Sequence, residues 1–266
     1  MNKKLLIIAI IGASAAVLVA GVMIHQPSPS SRAYEILSSS TKAVENLESF
    51  KADAYLFDYT DTDVLKESSK YSMKIELLRT EEKGMTMRIN FENYEYECSI
   101  EEKEAAYESL RQSLKNAWIL DTPDKFYVYS PLVFEESVTE FTPQTSLTRY
   151  NFIPIADPLH LALLFDHAEN ATYEGTETIE VGNKMIESYV VSYEFSYPTV
   201  RFAENAKLRT WISTEDHIPV KTELDATSTD GASKINFVFG FDTYEKDAFI
   251  PIEAVSLPED LKIIQR

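Results

Sequence analysis

The chain opens with Lys3 and Lys4 followed by Leu5 to Ile24, twenty residues without a charge. At 1.5 Å per residue this run reaches about 30 Å, one bilayer core, so the pattern predicts a membrane-spanning helix. His25 to Ser31 is a Pro/Ser tract without apolar period and reads as a semi-extended linker. From Arg32 to Phe50, Ala33, Ile36, Leu37, Ser40, Val44, Leu47 and Phe50 recur at steps of three and four, predicting an amphipathic helix. The period then becomes two. Tyr55, Phe57 and Tyr59 share one face of a strand, and Tyr71, Met73, Ile75 and Leu77 one face of the next. Met85, Met87, Ile89 and Phe91 follow the turn at Lys83-Gly84, and Tyr94, Tyr96, Cys98 and Ile100 come after them. Half-buried antiparallel strands joined by hairpins fit this alternation.

A second helix is predicted over Glu101 to Trp118, with Ala106, Leu110, Leu114 and Ala117 as its stripe. Phe126 to Ser130 reads as a short strand, and Pro131 to Pro158 as a long irregular segment. Asp157-Pro158 is an N-cap signal for a short helix, Leu159 to Phe165. Strands are then expected at Thr172 to Val181 and Lys184 to Phe195 around Gly182-Asn183. Leu208 to Ser213, Pro219 to Thr227 and Lys234 to Tyr244 complete the set. The sum is α+β: one large antiparallel sheet with helices on one face. The domain organisation is an N-terminal segment (1–24), the linker (25–31) and a single domain (32–266).

Charge sharpens the topology. The whole chain has 25 basic and 43 acidic residues; beyond residue 24 the balance is 23 against 43, or −20. Lysines on the N-terminal flank alone put the N-terminus in the cytoplasm and the acidic domain outside, in a single-pass arrangement at the cell membrane. If the segment is instead a cleaved signal peptide, the domain is secreted; Ala13-Ser14-Ala15 lies too early for such a cleavage site. So acidic a domain does not suit nucleic acid, which needs a basic face.

Candidate chemistry is sparse. One cysteine and four histidines exclude a disulfide framework and any multi-cysteine metal site. His160 and His167 are seven apart, a helical spacing, but no third ligand accompanies them. Asp58, Asp61 and Asp63 crowd a loop without the glycine or the terminal glutamate of a calcium loop and read as solvated surface. There is no G-x-S-x-G, and Cys98 sits in an apolar alternation where an inert thiol is the default. Neither a cofactor nor a catalytic residue is therefore expected. Asn170-Ala-Thr172 is an N-glycosylation acceptor pattern on the exported part.

Leu208-Arg-Thr-Trp211-Ile-Ser-Thr-Glu-Asp-His-Ile218-Pro219-Val-Lys221-Thr-Glu223 resembles the late hairpin of LolA-like outer-membrane lipoprotein carriers, the superfamily that includes LolB and LppX. Tyr173-Glu-Gly175-Thr-Glu177-Thr-Ile179-Glu-Val-Gly182, the hairpin ending at Tyr189 to Tyr193, and the closing Phe239 to Tyr244 with Phe249-Ile-Pro251 resemble its other motifs, in the same order. The resemblance covers most of residues 32 to 256. It implies an incomplete, half β-barrel with helices in its concave face, no catalysis, and an apolar cavity for a lipid or a lipoprotein acyl chain. Tyr55, Phe57, Met85, Met87, Ile89 and Trp211 are the candidate cavity residues, each with plain core packing as its other reading. Two functions follow as expectations: a membrane-anchored, extracytoplasmic lipid-binding protein, possible in lipoprotein sorting or transport, or an interaction or sensor ectodomain whose core is filled.

Overall fold

The computed structural model describes residues 28–61, 66–82, 84–98, 114–130, 137–141, 158–195, 203–228, 234–258 and 261–265, together with residues 108 and 112. The apolar run 5–24 and most of the expected helix 101–118 lie outside them. Among the described residues no helix is long and apolar enough to cross a membrane.

Helix α1 spans Pro29–Glu45 and starts inside the tract read as linker. Ser28 Oγ accepts the Ser31 N–H at 3.1 Å, and a proline at the helix start gives up an N–H that would have no helical partner. The end of the Pro/Ser tract is therefore capping sequence. Ala33, Ile36, Leu37, Ser40, Thr41 and Val44 form the buried stripe. The helix stops at Glu45, not Phe50, because the Arg79 guanidinium donates to the carbonyls of Glu45 and Leu47. A cation there satisfies end-of-helix carbonyls.

The strands are β1 (Ser49–Asp61), β2 (Lys66–Thr80), β3 (Gly84–Cys98), β4 (Trp118–Asp121), β5 (Phe126–Tyr129), β6 (Ser137–Phe141), β7 (Ala168–Val181), β8 (Lys184–Phe195), β9 (Ala203–Ser213), β10 (Pro219–Ser228), β11 (Lys234–Lys246) and β12 (Lys262–Gln265). They form one sheet in the order β12-β6-β5-β4-β3-β2-β1-β11-β10-β9-β8-β7. All pairs are antiparallel except β12 with β6, which is parallel. β6 falls in the segment expected to be irregular, and Trp118 opens β4 where a helix end was expected.

Met85 to Phe91 and Tyr94 to Tyr96 belong to one strand. Across β2 the register shifts between Ser72 and Met73, which pair with Asn93 and Phe91 and leave Glu92 as an extra residue. A bulge moves the alternation by one position without a turn, so the apolar side chains on both sides of it share a face.

The sheet is curved. Gly182, in the turn between β7 and β8, lies so close to β11 that a Cβ on it would stand 2.5 Å from the Asp242 carbonyl oxygen. Four inter-strand steps would hold β7 and β11 roughly 19 Å apart in a flat sheet. Its φ of +60° also requires glycine.

One face of the sheet is covered by α1, by the short helix α2 (Pro158–Ala162) and by the 3-10 turn Phe165–His167. On the other face the chain after β11 runs back toward β6. Ala248, Ile250 and Val255 pack there with Leu78, and Leu257 and Leu261 pack against Trp118, Leu120, Tyr127 and Val138. Arg88 fastens this strap: it donates to the Ser256 carbonyl at 3.0 Å and lies 4.5 Å over the Trp118 ring.

Candidate ligand-binding face

Residues directly opposite one another across paired strands share a face. Met87 pairs with Leu77 and Leu77 with Phe50; Ile89 pairs with Ile75 and Ile75 with Ala52. Tyr94, Tyr71, Leu56 and Phe239 form a further row. This is the helix-covered face, since the Phe165 ring meets Tyr193 edge-on at 5.4 Å and His160 of α2 reaches Asp121, the partner of Met87. Met87 and Ile89 are buried there, and Met85, Phe91 and Tyr71 are half-buried beside them.

The other three candidates stand on the opposite face. Tyr55 pairs with Gly240, Gly240 with Lys221, Lys221 with Trp211 and Trp211 with Val190. Phe57 pairs with Val238 in the next row. Tyr55 lies across Gly240, where a Cβ would come within 2.6 Å of its hydroxyl. The structure thus does not bring Tyr55, Phe57 and Trp211 onto one face with the methionines: β1 turns Phe50, Ala52, Ala54 and Leu56 toward the helices and Tyr55 and Phe57 away.

Trp211 is buried by its own polar neighbours. Arg209 and Lys221 stand 4.4 and 4.5 Å from its ring centre, and its indole N–H donates to Glu177 at 2.8 Å. A register shift between Tyr173 and Gly175 allows Glu174 and Glu177 both to reach Arg209, each at 2.7 Å. The Trp211 N–H first, then the Arg209 guanidinium, hold the Glu177 carboxyl below the usual carboxylate range against partial desolvation. A group depressed on folding stabilises the native state above its ordinary value of 4.5 and loses that contribution as pH falls through the folded value. In a Trp118→Phe background, acid titration of Trp211 fluorescence is expected to show a step that Glu177→Gln removes. An unchanged step in Glu177→Gln would assign it to another group.

Several polar groups are placed on the helix side. His160 Nε2 and Asp121 Oδ2 form a buried contact of 2.8 Å, and Thr41 Oγ1 donates to the Ala162 carbonyl at 2.7 Å. Together they pin α2 between α1 and the sheet. The Tyr193 hydroxyl, Thr210 and Thr222 form a buried chain of 2.9 and 3.0 Å contacts. His160 and His167 do not share a helix face, because α2 ends at Ala162 and His167 belongs to the exposed end of the 3-10 turn. Among the described residues no three His, Cys, Asp or Glu side chains are arranged to hold a metal ion. Cys98 closes β3, and Asp63 lies outside the described residues. Asn170 is exposed at a left-handed position on β7 (φ 53°), its amide donating to Glu194 at 2.9 Å.

Two cavities open among the described residues. One of about 320 Å³ is lined by Glu92, Tyr94, Glu108 and Gln112 among others; one of about 950 Å³ lies at the turns after β7 and β9. None of the six candidate residues lines either. Phe91 and Tyr71 stand in the alternations already read for β3 and β2, and Tyr94 joins their face once the Glu92 bulge is allowed for; none of the three was among the cavity candidates.

No protein-family model matches the chain, and no curated protein matches it. Solved structures do. MucB is similar with a TM-score of 0.51 at 9% identity, covering 90% of this chain and 67% of that one. LprF from Mycobacterium bovis is similar at 15% identity, 85% and 98% coverage and a TM-score of 0.43. A LolA superfamily protein from Nitrosomonas europaea is similar at 12% identity, 85% and 97% coverage and a TM-score of 0.36. At identities this low the likeness is one of fold, and the MucB match carries it. The fold shown is one large, mostly antiparallel sheet with helices on one face, the α+β class expected from the alternation.

Proposed function

We propose that the chain is a non-catalytic, extracytoplasmic binding protein, tethered by residues 5–24, that holds a lipid or a lipoprotein acyl chain against the helix-covered face of its sheet. The observation that carries this reading is the composition of that face on β3. Its positions from Met85 to Tyr96 read Met, Met, Ile, Phe, Tyr, Tyr through the bulge and carry no charge. Three of the side chains on β2 and β3, Tyr71, Met85 and Phe91, are only half-buried. Apolar walls with sparse polar groups suit acyl chains, and methionine adapts to irregular ones. The lysine-flanked span supports the tether, and the −20 balance keeps the domain off anionic headgroups. Asn170 is exposed for modification where the host glycosylates exported chains.

The test uses the full chain purified in a nonionic detergent. A fluorescent fatty-acyl probe is expected to bind saturably, and lipid to be extractable into organic solvent. Met85→Glu places a charge on the half-buried edge of the face and is expected to weaken probe binding by roughly tenfold or more, with an unchanged circular dichroism spectrum. A folded chain that takes up neither lipid nor probe would leave the sensor reading, in which the buried Met87 and Ile89 are core alone and in-cell crosslinking traps a protein partner.

A further inference from the structure

The β9–β10 hairpin is shorter than the strands flanking it. The β8–β9 ladder starts at Ser188, leaving Lys184–Glu187 of β8 beyond it. The β10–β11 ladder stops at Gly240, leaving residues 241–246 of β11 beyond it. Between the overhangs lies the groove of about 950 Å³, bounded by the turn at Thr214 to Asp216 and narrowed where Gly182 meets Asp242. Gly182 thus occupies part of the β11 edge. On the β8 edge, the one described backbone contact across the gap is the Thr214 N–H to the Glu187 carbonyl, 2.9 Å. The rest of that edge faces the groove without a neighbouring strand in the described ladders, a ready template for an added strand.

The groove's side chains select what could be added. Val181, Ile186 and Tyr244 supply apolar surface, and Met185 stands 68% exposed at the rim. Glu187, Glu215, Asp216 and Glu245 outnumber Lys184 and Lys246. The Tyr244 hydroxyl donates to Asp216 at 3.2 Å. Burial, then the Asp216 carboxylate, raise this phenol well above its ordinary value, with Glu215 acting in the same direction. The Asp216 and Glu215 carboxylates, which disfavour a phenolate here, favour a cation. Ile186 and Glu187 point to opposite sides of β8, so a strand laid beside them meets an apolar and an acidic environment in alternation.

We propose that this groove takes an extended segment of a partner protein in which basic and apolar residues alternate, added as a strand to the Lys184–Glu187 edge of β8. Main-chain hydrogen bonds supply affinity in such additions, and the side-chain environments supply selectivity. None of the side chains from Met85 to Tyr96 lines the groove, and the proposal does not rest on acyl binding to them.

The probe is a fluorescein-labelled eight-residue peptide alternating Lys and Val, measured by anisotropy with the full chain in nonionic detergent. Saturable binding is expected, with the Glu/Val counterpart not bound. The double variant Glu187→Gln, Glu245→Gln is expected to lose roughly tenfold or more in affinity. Neutralising Glu81 and Glu82, exposed in the β2–β3 turn, changes charge equally and is expected to cost less than about twofold because screening limits action at a distance. N-methylation of alternate peptide residues is expected to weaken binding by roughly tenfold, without altering the protein. Equal losses in the two charge pairs would show diffuse attraction and overturn the proposal. So would indifference to N-methylation, absence of binding, or displacement of the peptide by the fatty-acyl probe.

Discussion

Phe50→Ala is expected to destabilise the domain by about 3–5 kcal/mol, the usual cost of removing a fully buried ring when its cavity cannot collapse. Phe50 has no exposed surface. Its ring lies 5.5 Å from that of Phe241 and 5.8 Å from that of Tyr244, and its strand partner on β2 is Leu77. Phe50 therefore joins three adjacent strands just where α1 has ended and the chain enters β1. The backbone on either side is committed, with Arg79 holding the Leu47 carbonyl and Asp247 N–H bonding Ser49, so little movement is available to fill a void. Urea unfolding followed by circular dichroism measures the loss; Phe50→Leu, which removes less volume, should lose less. A shift under about 1 kcal/mol for the alanine variant would mean that the site is looser than its burial indicates.

Trp211→Ala is expected to cost a similar amount, about 3–5 kcal/mol, for a different set of contacts. The indole is 2% exposed on the face away from the helices. Its removal also strands the Glu177 carboxylate from its indole donor and takes the aromatic surface from under Arg209 and Lys221. Exposed cation–π pairs contribute only about 0.5–1 kcal/mol each, so lost packing dominates. Trp211→Phe keeps most of the ring and should lose much less. Because Trp211 and Met85 lie on opposite faces, Trp211→Phe is expected to leave fatty-acyl binding intact while Met85→Glu abolishes most of it. A folded Trp211→Phe protein that failed to bind the probe would move the ligand to the other face and withdraw the assignment of Met85 and its neighbours.

Much of the fold was legible in periodicity. The extents of β8 and the start of β10 follow directly from Gly182-Asn183 and from Pro219, residues whose backbone restrictions act locally. The Glu92 bulge was not legible, because an extra residue in a strand looks like two strands when only alternation is read. β6 and β12 escaped for another reason. Each is short, and the pairing of Lys262–Gln265 with Ser137–Glu140 joins segments more than a hundred residues apart. Of the candidate site, the methionines and Ile89 were legible because their strand alternates strongly. Tyr94 required the register across the Glu92 bulge, and the Lys184–Glu187 edge required knowledge of where the neighbouring ladders stop.

What the sequence by itself determined is the alternation, hence the strands, the acidity of the chain beyond residue 24 and the scarcity of reactive groups. A period of two states that a strand has two faces and does not say which is covered. On β1 the larger aromatic side chains, Tyr55, Phe57 and Tyr59, suggested the covered face, yet Ala52, Ala54 and Leu56 are the buried ones. That choice was made by non-local pairing: Ala52 and Ala54 face Ile75 and Met73 on one neighbour and Tyr244 and Phe241 on the other. Large residues on the flanking strands fill the space over β1, so small ones suffice there, while Tyr55 finds room on the opposite face across a glycine. Only the tertiary structure could settle this, since the volume available to a side chain is set by strands distant in the chain.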